Sequence, residues 1–76
     1  MVADRQPERA RVEFSEAIRW EPAHIFARLE LAQIELDAGE LGKAVAAAEE
    51  ALAYRPGDRA ARLIRAVGLV GLEKIR

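Results

Sequence analysis

The stretch that decides the fold is IFARLELAQIELDAGELGKAVAAAEEALAYRPGD, residues 25–58. Its alanines and leucines recur at helical spacings on both sides of Gly39, which predicts two amphipathic helices. Glycine can adopt the left-handed conformation that ends a helix, and the connection to Leu41 is so short that the two helices must be antiparallel neighbours. Pro56 cannot continue a helix, and Asp58 is a good N-cap for another one. The stretch therefore predicts a helical hairpin followed by a further helix.

This hairpin is part of a sequence repeat with a period of 34 residues. The shift aligns Pro22 with Pro56, and it also pairs Ala10 with Ala44, Glu16 with Glu50, Ala17 with Ala51, Ala27 with Ala61, Arg28 with Arg62, Leu29 with Leu63 and Ala32 with Ala66. A period of this length is typical of solenoids built from stacked helical hairpins, because one hairpin cannot bury both of its apolar flanks. We expect an all-α chain of four antiparallel helices, at about 7–20, 23–38, 41–55 and 59–74.

The residues of this repeat resemble the tetratricopeptide repeat (TPR) family. The matching positions are Leu31-Ala32, Gly39, Ala44, Ala51 and Pro56 in the whole repeat, and Ala10, Phe14, Ala17 and Pro22 in the half-repeat before it. The resemblance covers roughly residues 6–72 and implies one TPR-like domain over residues 1–76, with residues 1–5 frayed. It implies a short solenoid with a right-handed superhelical drift, made of a half-repeat, a whole repeat and a half-repeat.

Three positions depart from the pattern of that family. Arg28 and Glu35 stand where the family usually has a large aromatic residue, and Arg65 stands where it has leucine. These substitutions concern the packing between helices more than the type of fold.

Composition excludes several classes of function. The 12 basic and 13 acidic residues nearly cancel, so nothing in the charge indicates a nucleic acid or an anionic membrane as partner. The absence of cysteine excludes disulfides, thiolate metal sites and cysteine nucleophiles. Residues 1–5 lack the apolar core of a signal peptide, so we expect a cytoplasmic protein. A chain of 76 residues has a marginal core, which association would help to stabilise.

No catalytic motif is found. Gly39 and Gly42 lie in a hairpin turn, and Gly68 and Gly71 lie inside a helix, so none of them belongs to a phosphate-binding loop. His24 is the only histidine and is interpreted as a helix-start residue rather than a ligand. We therefore expect no enzymatic activity, no cofactor, no metal and no small-molecule substrate.

The candidate interface lies on the two helices that the resemblance assigns to the concave side of the solenoid. It implies ligand-facing positions at Phe26, Leu29, Gln33 and Leu36 in the whole repeat, and at Ala60, Leu63, Val67 and Val70 in the last helix. Six of these eight residues are large and apolar, either because they pack between helices or because they bind a partner. Ile64 and Gly71, on the same side of the last helix, complete the candidate set.

Gly68 and Gly71 indicate a close helix contact. Each costs roughly 1 kcal/mol of helix stability relative to alanine, which suggests that another backbone approaches there. We expect that backbone to be the same helix of a second copy at a two-fold axis.

Two functions fit these observations. The favoured one is a self-assembly scaffold, most simply a two-fold dimer formed through the concave face. The alternative is a module that binds a segment of a different protein in the same groove. A four-helix solenoid with so apolar a face also fits an engineered oligomer.

Overall fold

The computed structural model describes residues 6–75, which form four helices and no strand. The helices are α1 (Gln6–Trp20), α2 (Ile25–Asp37), α3 (Leu41–Tyr54) and α4 (Arg59–Lys74). The prediction of an all-α chain with four helices is thus confirmed. The expected fraying of residues 1–5 lies outside the described residues.

Helix α2 begins two residues later than expected, because Pro22 and Ala23 form a turn rather than the first helical residues. His24 is the N-cap, and the backbone N–H of Ala27 donates to its Nδ1 at 3.2 Å. This bond satisfies one of the backbone donors that every helix leaves free at its start. The helix-start role expected for His24 is confirmed.

The other two turns follow the chemistry of their residues. Gly39 has a positive φ of 81°, which allows α2 to end and α3 to begin at Leu41 after a tight turn. At the next turn Asp58 caps α4, since its Oδ1 accepts a hydrogen bond from the N–H of Ala61 at 2.9 Å. Each of these two turns is therefore determined by a residue within the turn itself.

The core between the helices is built almost entirely of alanine. Six alanines have no exposed surface, namely Ala27, Ala32, Ala44, Ala48, Ala51 and Ala61. Ile64, at 4% exposed, is the largest of the buried residues that pack together with them. Because mostly methyl groups separate the helices, their axes approach closely and little apolar area is available for burial. In residues 6–75, α2 contacts the other three helices, whereas α1 contacts α2 alone.

The two glycines of α4 face α3 of the same chain. A Cβ atom on Gly68 would lie 2.7 Å from Cγ2 of Val45, and one on Gly71 would lie 2.8 Å from Cδ1 of Leu41. The close contact that these glycines indicated is therefore real, but it is made within the chain. The expectation that Gly68 and Gly71 let two copies of α4 cross is corrected, because α3 already occupies that space.

Candidate functional site

Four large apolar side chains of the candidate interface are exposed to solvent. They are Phe26 at 60%, Leu63 at 65%, Val67 at 47% and Val70 at 54%. We call these four residues the apolar surface. They belong to α2 and α4, which contact each other, so one partner can reach both helices. Exposed large apolar side chains on two helices in contact make this surface the candidate binding site.

Four further positions of the candidate set lie at the margin of this surface. Leu29 and Leu36 are half-buried, and Leu36 packs against the alanine core. Gln33 is exposed and its Nε2 donates to Oδ1 of Asp37 at 2.9 Å. Ala60 is exposed and contributes only a methyl group. Of these four residues only Gln33 adds a polar group.

Two positions of the candidate set do not lie on the open surface. Ile64 packs against Ala32, Ala44 and Ala48 in the core. Gly71 lies against Leu41 of α3. Both residues therefore contribute to the packing of α4 against the rest of the chain. Their assignment to the interface is corrected, and they are internal packing residues.

Phe26 connects the apolar surface to α1. Its ring meets that of Phe14 edge to face, with centroids 6.0 Å apart and an angle of 71° between the planes. The centroid of the His24 ring lies 6.4 Å from that of Phe26. Such aromatic pairs contribute roughly 0.5–1.5 kcal/mol beyond their burial, so the contact with Phe14 favours one position of the exposed Phe26 ring.

Arg28 stands where the family pattern has a large aromatic residue, and its side chain makes several polar contacts. Its Nε donates to the Pro22 carbonyl at 2.6 Å and its Nη1 to Oε1 of Glu50 at 3.0 Å. The guanidinium also lies 4.9 Å from the centre of the Tyr54 ring, which is within cation–π range. We call Arg28, Glu50 and Tyr54 the Arg28 clamp. It joins the start of α2 to the end of α3, and it was not predicted from the sequence.

Glu35 replaces the second aromatic residue and is likewise paired. It is 8% exposed and accepts two hydrogen bonds from Arg11 of α1, each of 3.2 Å, in the forked geometry that suits a guanidinium. Arg11 also donates to Glu8 at 2.8 Å. The hydrogen bonds that Arg11 donates to Glu35 raise the pKa of Arg11 above its ordinary value, and the bond that it donates to Glu8 adds to the effect. The two residues that stand in place of an aromatic residue, Arg28 and Glu35, are thus each paired with a residue on a neighbouring helix.

No helix in residues 6–75 is long and apolar enough to cross a membrane. Over the same residues, no three side chains of the metal-ligating types come together.

Comparison with known families identifies the family of this chain's repeat. The tetratricopeptide repeat family matches residues 1–67, which reaches from the start of the chain through α3 and into α4. This match confirms the resemblance found in the repeat of 34 residues. Comparisons with curated proteins and with solved structures found no significant match.

Proposed function

Because the chain belongs to the tetratricopeptide repeat family, we propose that it is a non-catalytic protein-interaction module that associates through the concave apolar surface of α2 and α4. Repeats of this family generally mediate contacts between proteins. The observation that carries the proposal is the exposure of the apolar surface, where every one of the four side chains is at least 47% exposed. A partner that covered them would remove this area from water.

A second copy of the chain is the partner that we favour. The core is made of alanines, so folding alone buries little apolar surface per residue. Association would bury more apolar surface and so stabilise the folded chain. The simplest assembly is a two-fold dimer, in which the surface pairs with itself. A standard interface needs about 800 Å² from each partner. The absence of cysteine fits a reducing compartment, and we propose that the association takes place in the cytoplasm.

Light scattering coupled to size exclusion tests this proposal. Val67→Glu and Leu63→Arg each place a charge in the apolar surface. A partner bound there would exclude water from this charge and provide no opposite charge in return. At micromolar concentration we expect both variants to be monomers with an unchanged helical circular dichroism signal, because both side chains are exposed. Glu49→Ala, an exposed position on α3, is the control and should keep the mass of the parent. Charged variants with the parent's mass would refute the concave interface.

The second candidate function is the binding of a segment of another protein in the same groove. It is favoured by the exposed Gln33 and Asp37, whose polar groups could bond the backbone of an extended peptide. A parent chain that is monomeric at micromolar concentration would support this function over the dimer.

A further inference from the structure

The residues of the Arg28 clamp recur at opposite ends of the helical stack. A shift of 34 residues relates Arg28 to Arg62 on α4, and it relates Glu50 and Tyr54 to Glu16 and Trp20 on α1. The chain therefore carries the cationic half of a second clamp on its last helix. It carries the carboxylate and aromatic half on its first helix.

These two halves do not meet within the chain. In residues 6–75, α1 and α4 make no contact, and no carboxylate forms an ion pair with Arg62. Trp20 is 82% exposed, the highest value among the large apolar side chains of the described part, and its Nε1 donates to Oε1 of Glu16 at 3.3 Å. An exposed tryptophan held beside a carboxylate offers a cation both a ring face and a counter-charge.

We propose that α4 of one copy packs antiparallel against α1 of a second copy, with Arg62 placed between Glu16 and Trp20 of that copy. This contact would reproduce between copies the geometry that Arg28 has with Glu50 and Tyr54 inside one chain. It uses the two ends of the stack, so it is separate from the concave surface of the proposed function.

The neighbouring residues fit the same register. In an antiparallel pair, a step of three residues forward on one helix is matched by a step of three residues back on the other. If Arg62 faces Glu16, then Arg65 faces Glu13, which gives a second pair of opposite charge. Arg19 is the residue that corresponds to Ala53 in the repeat, and it already pairs with Glu16 at 3.4 Å. It shares that carboxylate with the incoming Arg62, which makes the contact between copies weaker than the clamp within the chain.

The apolar residues of the two faces are also suited to each other. Ala66 of α4 corresponds to Ala32, and Ala10 of α1 corresponds to Ala44, two residues of the alanine core. The alanine contact that joins α2 to α3 would thus be repeated between α4 and the next α1. Leu69 of α4 is 48% exposed and would be covered in the same contact.

This mode of association joins two different surfaces. Such head-to-tail contacts form rings when the rotation closes and open filaments when it does not. The mass of the assembly should therefore rise with concentration beyond that of a dimer. A two-fold dimer through the concave surface would instead stop at two copies.

Complementary charge reversal provides the test, with Val67→Glu present in every chain so that the concave surface is disabled. Arg62→Glu and Glu16→Arg each place like charges opposite each other, so each variant alone should associate at least about tenfold more weakly than its parent. An equimolar mixture should recover the parent's mass, because the carboxylate introduced on α4 of one chain then meets the guanidinium introduced on α1 of the other. Glu49→Arg, a matched reversal on an exposed site of α3, should change nothing.

Trp20 gives an independent measurement, because it is the only tryptophan of the chain. Its emission should move to shorter wavelength as the concentration of the Val67→Glu parent rises, and the shift should weaken at high salt. The inference is overturned if the mixture stays as dissociated as its components, or if the parent remains monomeric with unchanged emission up to millimolar concentration. Neither result would bear on the concave surface, because its test compares the unsubstituted chain with Val67→Glu and Leu63→Arg and uses neither Arg62→Glu nor Glu16→Arg.

Discussion

Gly68→Ala is the most direct probe of how closely α3 and α4 approach. The added Cβ would lie 2.7 Å from Cγ2 of Val45 and 3.5 Å from the carbonyl oxygen of Leu41. Real carbon atoms do not approach to 2.7 Å, so one of the two groups has to move. Val45 is only 9% exposed and β-branched, so its χ1 angle has essentially one position in a helix. The clash must therefore be relieved by separating the helices.

The expected size of the effect follows from two opposing contributions. Alanine gains about 1 kcal/mol of helix propensity over glycine. Overpacking a close contact costs about 1–3 kcal/mol. The net effect of Gly68→Ala is thus a loss of up to about 2 kcal/mol, and each kcal/mol lowers the melting temperature by about 4–8 °C in a domain of this size. In a Val45→Ala background the obstructing methyl group is gone, so the same substitution should stabilise the chain by about 1 kcal/mol.

A double-mutant cycle measures this difference. Urea unfolding of the parent, Gly68→Ala, Val45→Ala and the double variant, at one protein concentration, should give a coupling free energy of about 1–3 kcal/mol. Gly42→Ala is the control, because a Cβ there would have no atom within 4 Å and only the propensity gain applies. A coupling below about 0.5 kcal/mol, or a more stable Gly68→Ala in the parent background, would refute the close contact.

Three further predictions concern the alanine core, the pair of Arg11 and Glu35, and the cap of α4. Ala44→Leu should lower the free energy of unfolding in urea by about 1–3 kcal/mol, because Ala44 has no exposed surface. Arg11→Val should lower the melting temperature by leaving Glu35 buried and unpaired, and adding Glu35→Leu should restore it, since both charges are then gone. An equal effect of the single and double variants would contradict this. Asp58→Ala should cost about 1 kcal/mol in the same urea assay through loss of the α4 cap, whereas Asp58→Ser should cost less.

The fold could be predicted because its determinants are local. Gly39, Pro22 and Pro56 mark the turns by backbone chemistry that depends on neither partner nor packing. The repeat of 34 residues then specifies how the hairpins stack, since equivalent residues occupy equivalent places. The start of α2 was placed too early because Pro22 and Ala23 form a turn, which leaves His24 as the cap.

The division of apolar residues between core and surface could not be predicted in the same way. Ile64 and Val67 belong to one apolar stripe, but only Ile64 turns toward the alanine core. A stripe on a helix shows which side is apolar, not which part of that side an adjacent helix covers. For the same reason the sequence indicated a close contact at Gly68, but the expected partner, α4 of a second copy, was wrong, because α3 of the same chain makes the contact. The Arg28 clamp was not recognised because its members come from different helices.

The attachment of α1 to a single neighbour has a consequence for local motion. Proteins open in cooperative units, and a unit with few contacts opens at a lower free energy than the whole domain. Among the helices of residues 6–75, α2 alone contacts α1, so the amide hydrogens of α1 should exchange with solvent sooner than those of α3. Each opening would separate Phe14 from Phe26 and free the latter's ring. Exchange protection of α1 would therefore rise with any partner that holds this helix in place.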